Sequence, residues 1–124
     1  MTRSRASAKA AGSQFESHVV TYLQARLDDR IERRAKSGAK DRGDLSGWRH
    51  QGMRVVAELK NVAKLNLAGW ITEAETERMN DDAQIGLVIH KRVGKGPAQM
   101  GETYVTLTLD NLLVIMGAGK TPAD

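Results

Sequence analysis

The chain has 124 residues, a formal net charge of +4 and no cysteine. That length supports a single domain. The lack of cysteine excludes disulfides and thiolate metal sites and favours a reducing, cytoplasmic location. No run of about 18 apolar residues occurs, so the sequence predicts no transmembrane helix. The basic residues 1–9 lack the apolar segment of a secretory signal, and the positive charge favours a polyanionic partner, nucleic acid before a membrane.

The N-terminal region is predicted to divide into a tail and a first helix. Residues 1–11 are basic and small without apolar periodicity, which is typical of a disordered tail. A helix is expected to begin at Ser13, because Ser13 and Glu16 have the spacing of a capping box. An apolar stripe that starts with Phe15 and Val19 supports this helix. Two roles stay open for Glu16, a helix cap or a further metal ligand.

A cationic loop follows the first helix. Residues 31–35 are predicted as an edge strand, and residues 36–43 as an exposed loop that contains glycine. The loop leads directly into Asp44, so contact with DNA phosphate is favoured over an ordinary solvated loop. The side chains predicted to bind DNA in this region are Arg33, Arg34, Lys36, Lys40 and Arg42.

Two adjacent strands are predicted over residues 42–48 and 55–60. Gly52 and the polar residues before it supply a hairpin connection, so the two strands are expected to pair antiparallel. Side chains alternate between the faces of a strand. The apolar positions of the second strand therefore point into a core, while Glu58 and Lys60 share the opposite face.

The polar face of this hairpin predicts a metal site. Asp44 can lie across the ladder from Glu58, and carboxylate oxygens are the ligands that hard divalent cations prefer. Asp44 and Glu58 are therefore expected to bind Mg²⁺, for which Mn²⁺ would substitute, with the backbone carbonyl of Leu59 as a further ligand. Such a metal polarises a phosphate and acidifies bound water, and Lys60 would neutralise developing charge. The alternative is an ordinary surface pair of Glu58 and Lys60.

The second half of the chain adds a helix and a buried strand. Asn66 is expected to cap a helix over residues 67–82, whose acidic positions are interpreted as a solvated face without a catalytic role. Residues 85–90 form an apolar run that predicts a strand buried on both faces. The cationic residues around these elements are predicted to bind DNA, although charges at the end of a buried strand are equally typical of a chain leaving the core. They are Lys64, Lys91, Arg92 and Lys95.

The C-terminal region is expected to form an alternating strand over residues 102–109 and a short helix over 111–116. Asp110 would cap this helix and Gly117 would close it, leaving residues 118–124 frayed. The order of elements predicts an α/β domain over residues 12–117, with a mixed sheet flanked by helices.

Three stretches resemble the PD-(D/E)XK nuclease superfamily: Arg42-Gly43-Asp44, Val55-Val56-Ala57-Glu58-Leu59-Lys60, and the helix that carries Glu16. Within it the chain is most similar to the archaeal and phage Holliday-junction resolvases. The resemblance covers about residues 12–92 and implies a restriction-endonuclease-like fold. It also implies that Asp44 and Glu58 bind the metal, that Lys60 is the catalytic lysine, and that Glu16 is the helix acid near the metal. Gly43 stands where the family has a proline.

The resemblance implies a Mg²⁺-dependent endonuclease that cuts branched DNA as a homodimer. It also implies an intracellular protein, for which a phage or prophage origin is open. A nuclease of the same fold for flaps, single strands or restriction and repair sites is an alternative. A non-catalytic basic DNA-binding protein is another, and its binding would fall steeply with salt and be indifferent to metal. The carboxylates beside the basic loops favour the nuclease.

Overall fold

The computed structural model describes residues 4–35 and 40–118. Its helices are α1 (Arg5–Arg26), α2 (Leu67–Asn80) and α3 (Leu109–Ile115), and a 3₁₀ segment covers Pro97–Glu102. Its strands are β1 (Glu32–Arg33), β2 (Leu45–Ser46), β3 (Arg49–His50), β4 (Met53–Lys60), β5 (Ile85–His90) and β6 (Tyr104–Thr106).

A four-stranded mixed sheet forms the centre of the fold, in the order β3-β4-β5-β6. β4 and β5 are parallel, whereas β3 and β6 pair antiparallel with their neighbours. Parallel strands need a crossover connection, and α2 supplies it. β1 and β2 form a separate two-stranded ladder. The predicted mixed α/β class, with helices on a mixed sheet, is confirmed.

Helices cover both faces of the sheet. Successive side chains of β4 point to opposite faces, so its residues divide between two packing layers. Val55, Ala57 and Leu59 belong to the larger core, together with Phe15 and Val19 of α1. On the other face, Trp70 and Ala74 of α2 pack against Val88. The predicted burial of β5 on both faces is confirmed, since all six of its residues are buried. The side chain of Glu58 therefore projects towards α2 and away from α1.

An antiparallel hairpin precedes β4 as predicted, but its first strand is β3 (Arg49–His50), which lies in the segment predicted as the connection. Gln51 and Gly52 have φ of 51° and 81°, the left-handed pair typical of a two-residue turn between antiparallel strands. The single strand predicted over residues 42–48 is wrong, because Gly43 and Gly47 have φ of 95° and 80° and interrupt it. A Cβ on Gly43 would lie 2.8 Å from Val56 Cγ1, so the chain crosses β4 in close contact there.

The helix start predicted at Ser13 is wrong. α1 begins at Arg5, where the hydroxyl of Ser4 accepts a hydrogen bond from the N–H of Ser7 at 3.1 Å. Residues 5–11, expected in a disordered tail, instead form the first turns of α1. Their alanine, arginine and lysine side chains have high intrinsic helix propensity, which needs no apolar stripe.

The C-terminal strand and helix are also shifted from their predicted bounds. β6 is confined to Tyr104–Thr106, and the cap of α3 is Thr108, whose hydroxyl accepts from the N–H of Asn111 at 3.1 Å. The predicted cap Asp110 lies inside the first turn. Gly117 follows the helix with φ of 93°. Within residues 4–35 and 40–118, none of the helices combines the length and apolar character needed to cross a bilayer.

Candidate metal centre

Three carboxylates converge between the sheet and α2. Glu58 comes from β4, Glu77 from α2, and Asp41 from the segment that leads to β2; one oxygen of each lies within 4.8 Å of one oxygen of the other two. Glu58 and Glu77 are buried, whereas Asp41 is exposed and opens the cluster to solvent. Carboxylate oxygens at this spacing are the donor set that a hard divalent cation takes.

Most oxygens of the buried carboxylates accept no hydrogen bond from the part of the chain that the structure describes. The exposed fractions of Glu58 and Glu77 are 6% and 2%, and no described residue donates a hydrogen bond to Glu58 Oε2 or to either carboxylate oxygen of Glu77. Burial, followed by the neighbouring Glu77 and Asp44, raises the pKa of Glu58 well above its ordinary value. Burial also raises the pKa of Glu77. Unpaired buried charge is costly, so the two groups require either a shared proton or a cation.

Asp44 lies beside Glu58 but uses its carboxylate on the backbone. Asp44 Oδ2 accepts a hydrogen bond from the N–H of Leu59 at 2.7 Å, and the Asp44 N–H donates to the carbonyl of Ala57 at 3.0 Å. These two bonds attach Asp44 to the β4 backbone at the residue before Glu58 and at the residue after it. Among the described carboxylates, Asp44 does not belong to the group that converges within 4.8 Å. Its predicted role as a ligand, like that of the Leu59 carbonyl, stays a prediction.

Lys60 is held between two carboxylates. Its Nζ lies 3.5 Å from Glu58 Oε1 and donates to Glu73 Oε1 and Oε2 at 3.0 and 3.2 Å. Burial favours the neutral amine, but hydrogen bonding to Glu73 and the charges of Glu58 and Glu73 outweigh it and raise the pKa of Lys60. The side chain is therefore an ammonium at neutral pH, fixed at the edge of the carboxylate cluster.

Glu16 has a different partner from the one predicted. It lies on α1, which packs on the opposite face of the sheet from Glu58, and its Oε2 is 2.7 Å from Arg33 Nη2. The capping role is wrong because α1 begins eleven residues before Glu16. Glu16 is also not one of the described carboxylates that converge. Its ion pair with Arg33 fastens β1 to α1.

The sequence interpretation missed the acids of α2. The acidic side of that helix was expected to be solvated, which is wrong for Glu77 and Asp81, both of which are buried. A usable signal was present: Trp70, Ala74, Glu77 and Asp81 follow the spacing of four, three and four residues that marks a core-facing helical stripe. Because Glu77 and Asp81 continue the spacing of the apolar residues, the sequence pattern places them on the buried side of the helix.

The predicted DNA-binding residues are dispersed over the surface. Arg33 pairs with Glu16, and Arg34 pairs with Asp81 at 3.2 Å. Arg92 and Lys95 both lie near Glu102, at 3.8 and 3.3 Å. The remaining predicted side chains are exposed apart from Lys36, which lies outside the described residues; they are Lys40, Arg42, Lys64 and Lys91.

No family model, no curated protein and no solved structure matches this chain.

Proposed function

We propose that the protein is a metal-dependent DNA endonuclease that hydrolyses phosphodiester bonds in branched DNA. The observation that carries this proposal is the buried pair Glu58 and Glu77, opened to solvent by Asp41 and flanked by the ammonium of Lys60. A purely structural pair has no need to collect a third carboxylate at the surface. A site for a hard cation next to a fixed positive charge suits a phosphate substrate.

The chemistry of the donors fits Mg²⁺ or Mn²⁺. Asp41, Glu58 and Glu77 would hold the ion. The oxygens of Glu58 and Glu77 to which no described residue donates fit this role. When bound, the ion supplies Lewis-acid polarisation of the phosphate and a more acidic water. Asp44 and the Leu59 carbonyl are proposed as further oxygen donors, a role for which the hydrogen bond from Leu59 N–H to Asp44 would need to be shared or exchanged.

The protein's own side chains would divide the remaining work. Lys60 would sit against a non-bridging phosphate oxygen and offset the charge that develops there. Glu73 would keep the Lys60 ammonium at the mouth of the cluster, where its Nζ is already 3.5 Å from Glu58. Asp44 would fix the end of β4 through Leu59, so that Glu58 and Lys60 keep their relative positions.

The arrangement of elements supports a restriction-endonuclease-like, PD-(D/E)XK assignment. An antiparallel hairpin leads into a central strand that ends in Glu58-Leu59-Lys60, and a crossover helix then leads to a parallel strand. The net charge of +4 supports DNA as the partner.

A homodimer is part of the proposal, and one surface supports it. The edge strand β6 and helix α3 expose several apolar side chains, with exposed fractions of 52% for Val105, 69% for Leu109 and 74% for Met116. These residues lie close together in the sequence, and exposed apolar patches are typical of protein contact sites. A second copy would cover this surface and could present two carboxylate clusters to opposed DNA strands.

A cleavage assay with matched substrates tests the proposal. Purified protein with Mg²⁺ is incubated with a four-way junction, a flap, a duplex and a single strand of shared sequence, and with EDTA as the metal-free reference. We expect metal-dependent cutting with preference for the junction. Preference for another substrate would retain the nuclease but change its target.

Two variants make this assay specific for the cluster. Glu58→Gln keeps the shape of the side chain and removes its charge, so we expect it to abolish cutting while junction binding persists. The matched control is Glu32→Gln, an exposed acid on β1, which should cut like the wild type. Equal cutting by Glu58→Gln and wild type would contradict the proposal and leave a non-catalytic DNA-binding protein.

A further inference from the structure

Four arginines line a cavity outside the carboxylate cluster. Its volume is about 280 Å³, and it lies between the hairpin region and the end of α2. We call it the arginine pocket. Its lining includes Arg34, Arg42, Arg49, Arg54, Trp48 and Asp81.

Asp81 holds two of these guanidinium groups in place. Arg34 Nη2 donates to Asp81 Oδ2 at 3.2 Å, and Arg54 Nη1 donates to the Asp81 carbonyl at 2.9 Å. A guanidinium has five N–H donors. These contacts therefore fix both side chains while leaving donors for a ligand, which is the preorganisation that an anion site needs.

The pocket has far more positive than negative charge. Four guanidinium groups face the single carboxylate of Asp81, which leaves a net charge of +3. Arg42 and Arg49 are exposed, and neither forms an ion pair with an acid of the described residues. Arginine binds phosphate through two parallel N–H bonds. The net positive charge of the pocket and the paired N–H donors of its arginines thus fit a phosphate better than a carboxylate, which carries less negative charge.

Trp48 gives the pocket an apolar wall. Its side chain is half-buried, packs against the larger core and also lines the cavity. An aromatic ring beside a basic groove is a stacking surface for nucleic-acid bases. A phosphate with an attached sugar and base would use both the arginines and this wall, whereas inorganic phosphate would use only the arginines.

The arginine pocket and the carboxylate cluster take neighbouring residues from the same two segments of the chain. The N–H of Asp81 bonds the carbonyl of Glu77 at 2.9 Å, so the two acids are one helical turn apart. Four residues of helix span about 6 Å, and successive phosphates advance about 3.4 Å along a DNA strand axis. Arg42 likewise follows Asp41 directly in the sequence. A strand with one phosphate at the cluster would place a phosphate one or two nucleotides away in the pocket.

We propose that the arginine pocket binds a backbone phosphate of the DNA strand being cut, with its base or sugar against Trp48. This inference rests on the proposed nuclease function and assigns it a substrate-positioning site. Arg49, Arg54 and Trp48 are the residues that it adds to the nucleic-acid surface. Phosphate recognition is the shared chemistry, and a free nucleotide or inorganic phosphate is the alternative source.

The first test measures binding without metal, so that it is independent of cleavage. Fluorescence anisotropy in EDTA follows a labelled four-way junction at several salt concentrations, with wild type, Arg49→Gln, the double variant Arg42→Gln/Arg49→Gln and the control Arg26→Gln. Arg26 is on α1, where it contacts the ring of Tyr22 and does not line the pocket. We expect the double variant to bind at least about tenfold more weakly and to lower the salt slope by about 2.

The control should retain the wild-type affinity and slope. An unchanged salt slope in the folded double variant overturns the proposal. Should the double variant fail to fold by circular dichroism, the exposed single variant Arg49→Gln decides in its place, with an expected slope change of about 1. Equal weakening by Arg26→Gln would also overturn the proposal, because binding would then depend on total charge.

The second test uses the emission of Trp48 in a Trp70→Phe background, where Trp48 is the only tryptophan. Titration with a single-stranded hexanucleotide should quench this emission, and the double arginine variant should remove the quenching. Inorganic phosphate that bound as tightly as the hexanucleotide would overturn the assignment to a DNA strand. Junction cutting in Mg²⁺ is measured separately. If the wild type cuts the junction but the double arginine variant binds it as tightly as the wild type, only the pocket assignment is refuted. If the wild type does not cut but the double arginine variant loses binding, only the nuclease function is refuted.

Discussion

Lys60 donates two hydrogen bonds to Glu73, at 3.0 and 3.2 Å, across the space between β4 and α2. The lysine and Glu58 face α2 from the same side of β4, and Glu73 is one helical turn before Glu77. The position of Lys60 relative to the carboxylate cluster therefore depends on a residue of another element. This dependence can be measured.

Replacing Glu73 with glutamine should lower the pKa of Lys60, because it removes a carboxylate that stabilises the ammonium. The alkaline limb of the pH–rate profile for junction cutting should then move to lower pH. Unfolding free energy should fall by no more than about 1 kcal/mol, since Glu73 is nearly half exposed. Glu75→Gln is the control, because Glu75 pairs with Arg78 instead. An unmoved alkaline limb would show that Glu73 does not tune Lys60.

Replacing Glu77 with methionine should stabilise the metal-free protein. The change removes a buried carboxyl whose oxygens accept no hydrogen bond from the described residues, and it substitutes an apolar side chain of similar size. Such replacements at buried ionic sites are often stabilising by about 1–4 kcal/mol. Thermal unfolding in EDTA measures the gain, and Mn²⁺ should no longer raise the unfolding temperature. Thr76→Met, at the exposed neighbouring position, is the control. A lower unfolding temperature for Glu77→Met would contradict this prediction.

The stability of the metal-free protein should decrease as the pH rises. The folded-state pKa values of Glu58 and Glu77 are raised above the ordinary 4.5, so above that pH the folded chain retains protons that the unfolded chain has lost. Unfolding free energy then falls with pH until both groups ionise in the folded state. Urea unfolding at pH 5.5 and 8 in EDTA measures this slope, and Glu58→Gln/Glu77→Gln should flatten it.

Divalent metal should reverse that pH dependence. Ligand carboxylates must be deprotonated to bind the ion, so binding releases protons and strengthens as the pH rises. Mn²⁺ should therefore raise the unfolding temperature more at pH 8 than at pH 5.5, in line with stabilisation of the folded state by a bound ligand. Calorimetric titration in buffers of different ionisation enthalpy would detect the released protons. Equal Mn²⁺ stabilisation at both pH values would exclude Glu58 and Glu77 as the ligands.

Replacing Asn111 with alanine should destabilise the protein by about 2 kcal/mol. The side chain is buried, accepts from the N–H of Gly86 at 3.1 Å and donates to Thr108 at 2.8 Å, so its loss leaves a buried backbone donor of β5 unpaired. Urea unfolding measures the difference. Leu113→Ala on the same helix removes a partly exposed side chain and should cost less; the reverse order would refute the role given to Asn111.

Replacing Leu109 with lysine should weaken self-association if the exposed apolar surface of β6 and α3 is the dimer contact. Leu109 is 69% exposed in the single chain, so the substitution leaves the core intact. Sedimentation velocity should show a dimer for wild type and a monomer for the variant. Val93→Lys, at a 94% exposed position outside this surface, is the control. A dimer that survives Leu109→Lys would place the contact elsewhere.

Local patterns were sufficient to predict much of the sheet. The period of two along residues 55–60 gave the two faces of β4, and the continuous apolar run gave the buried strand β5. Boundaries were less accurate because they depend on competing local signals: Ser4 and Ser13 both suit a helix cap, and only the helix propensity of residues 5–11 distinguishes them.

The candidate site was only partly predictable because it combines distant segments. The proximity of Glu58 and Lys60 follows from strand geometry alone. Glu77 lies near Glu58 only because α2 packs on the sheet. No local sequence pattern predicts where a crossover helix will pack. Asp41 was not predicted as a ligand because it lies among cationic residues in a loop that was expected to contact DNA phosphate. Long-range packing, rather than any nearby motif, thus assembled the cluster.

The close passage of Gly43 over β4 limits how this site can vary. A Cβ there would lie 2.8 Å from Val56, 3.3 Å from the Ala57 carbonyl and 3.6 Å from Glu77 Oε2. The backbone φ of 95° is also closed to proline, whose ring fixes φ near about −65°. A proline at position 43 is thus incompatible with the path of residues 41–44. A side chain at position 43 would therefore displace Val56 and the carboxylate of Glu77, so we expect the geometry of the carboxylate cluster to depend on glycine at this position.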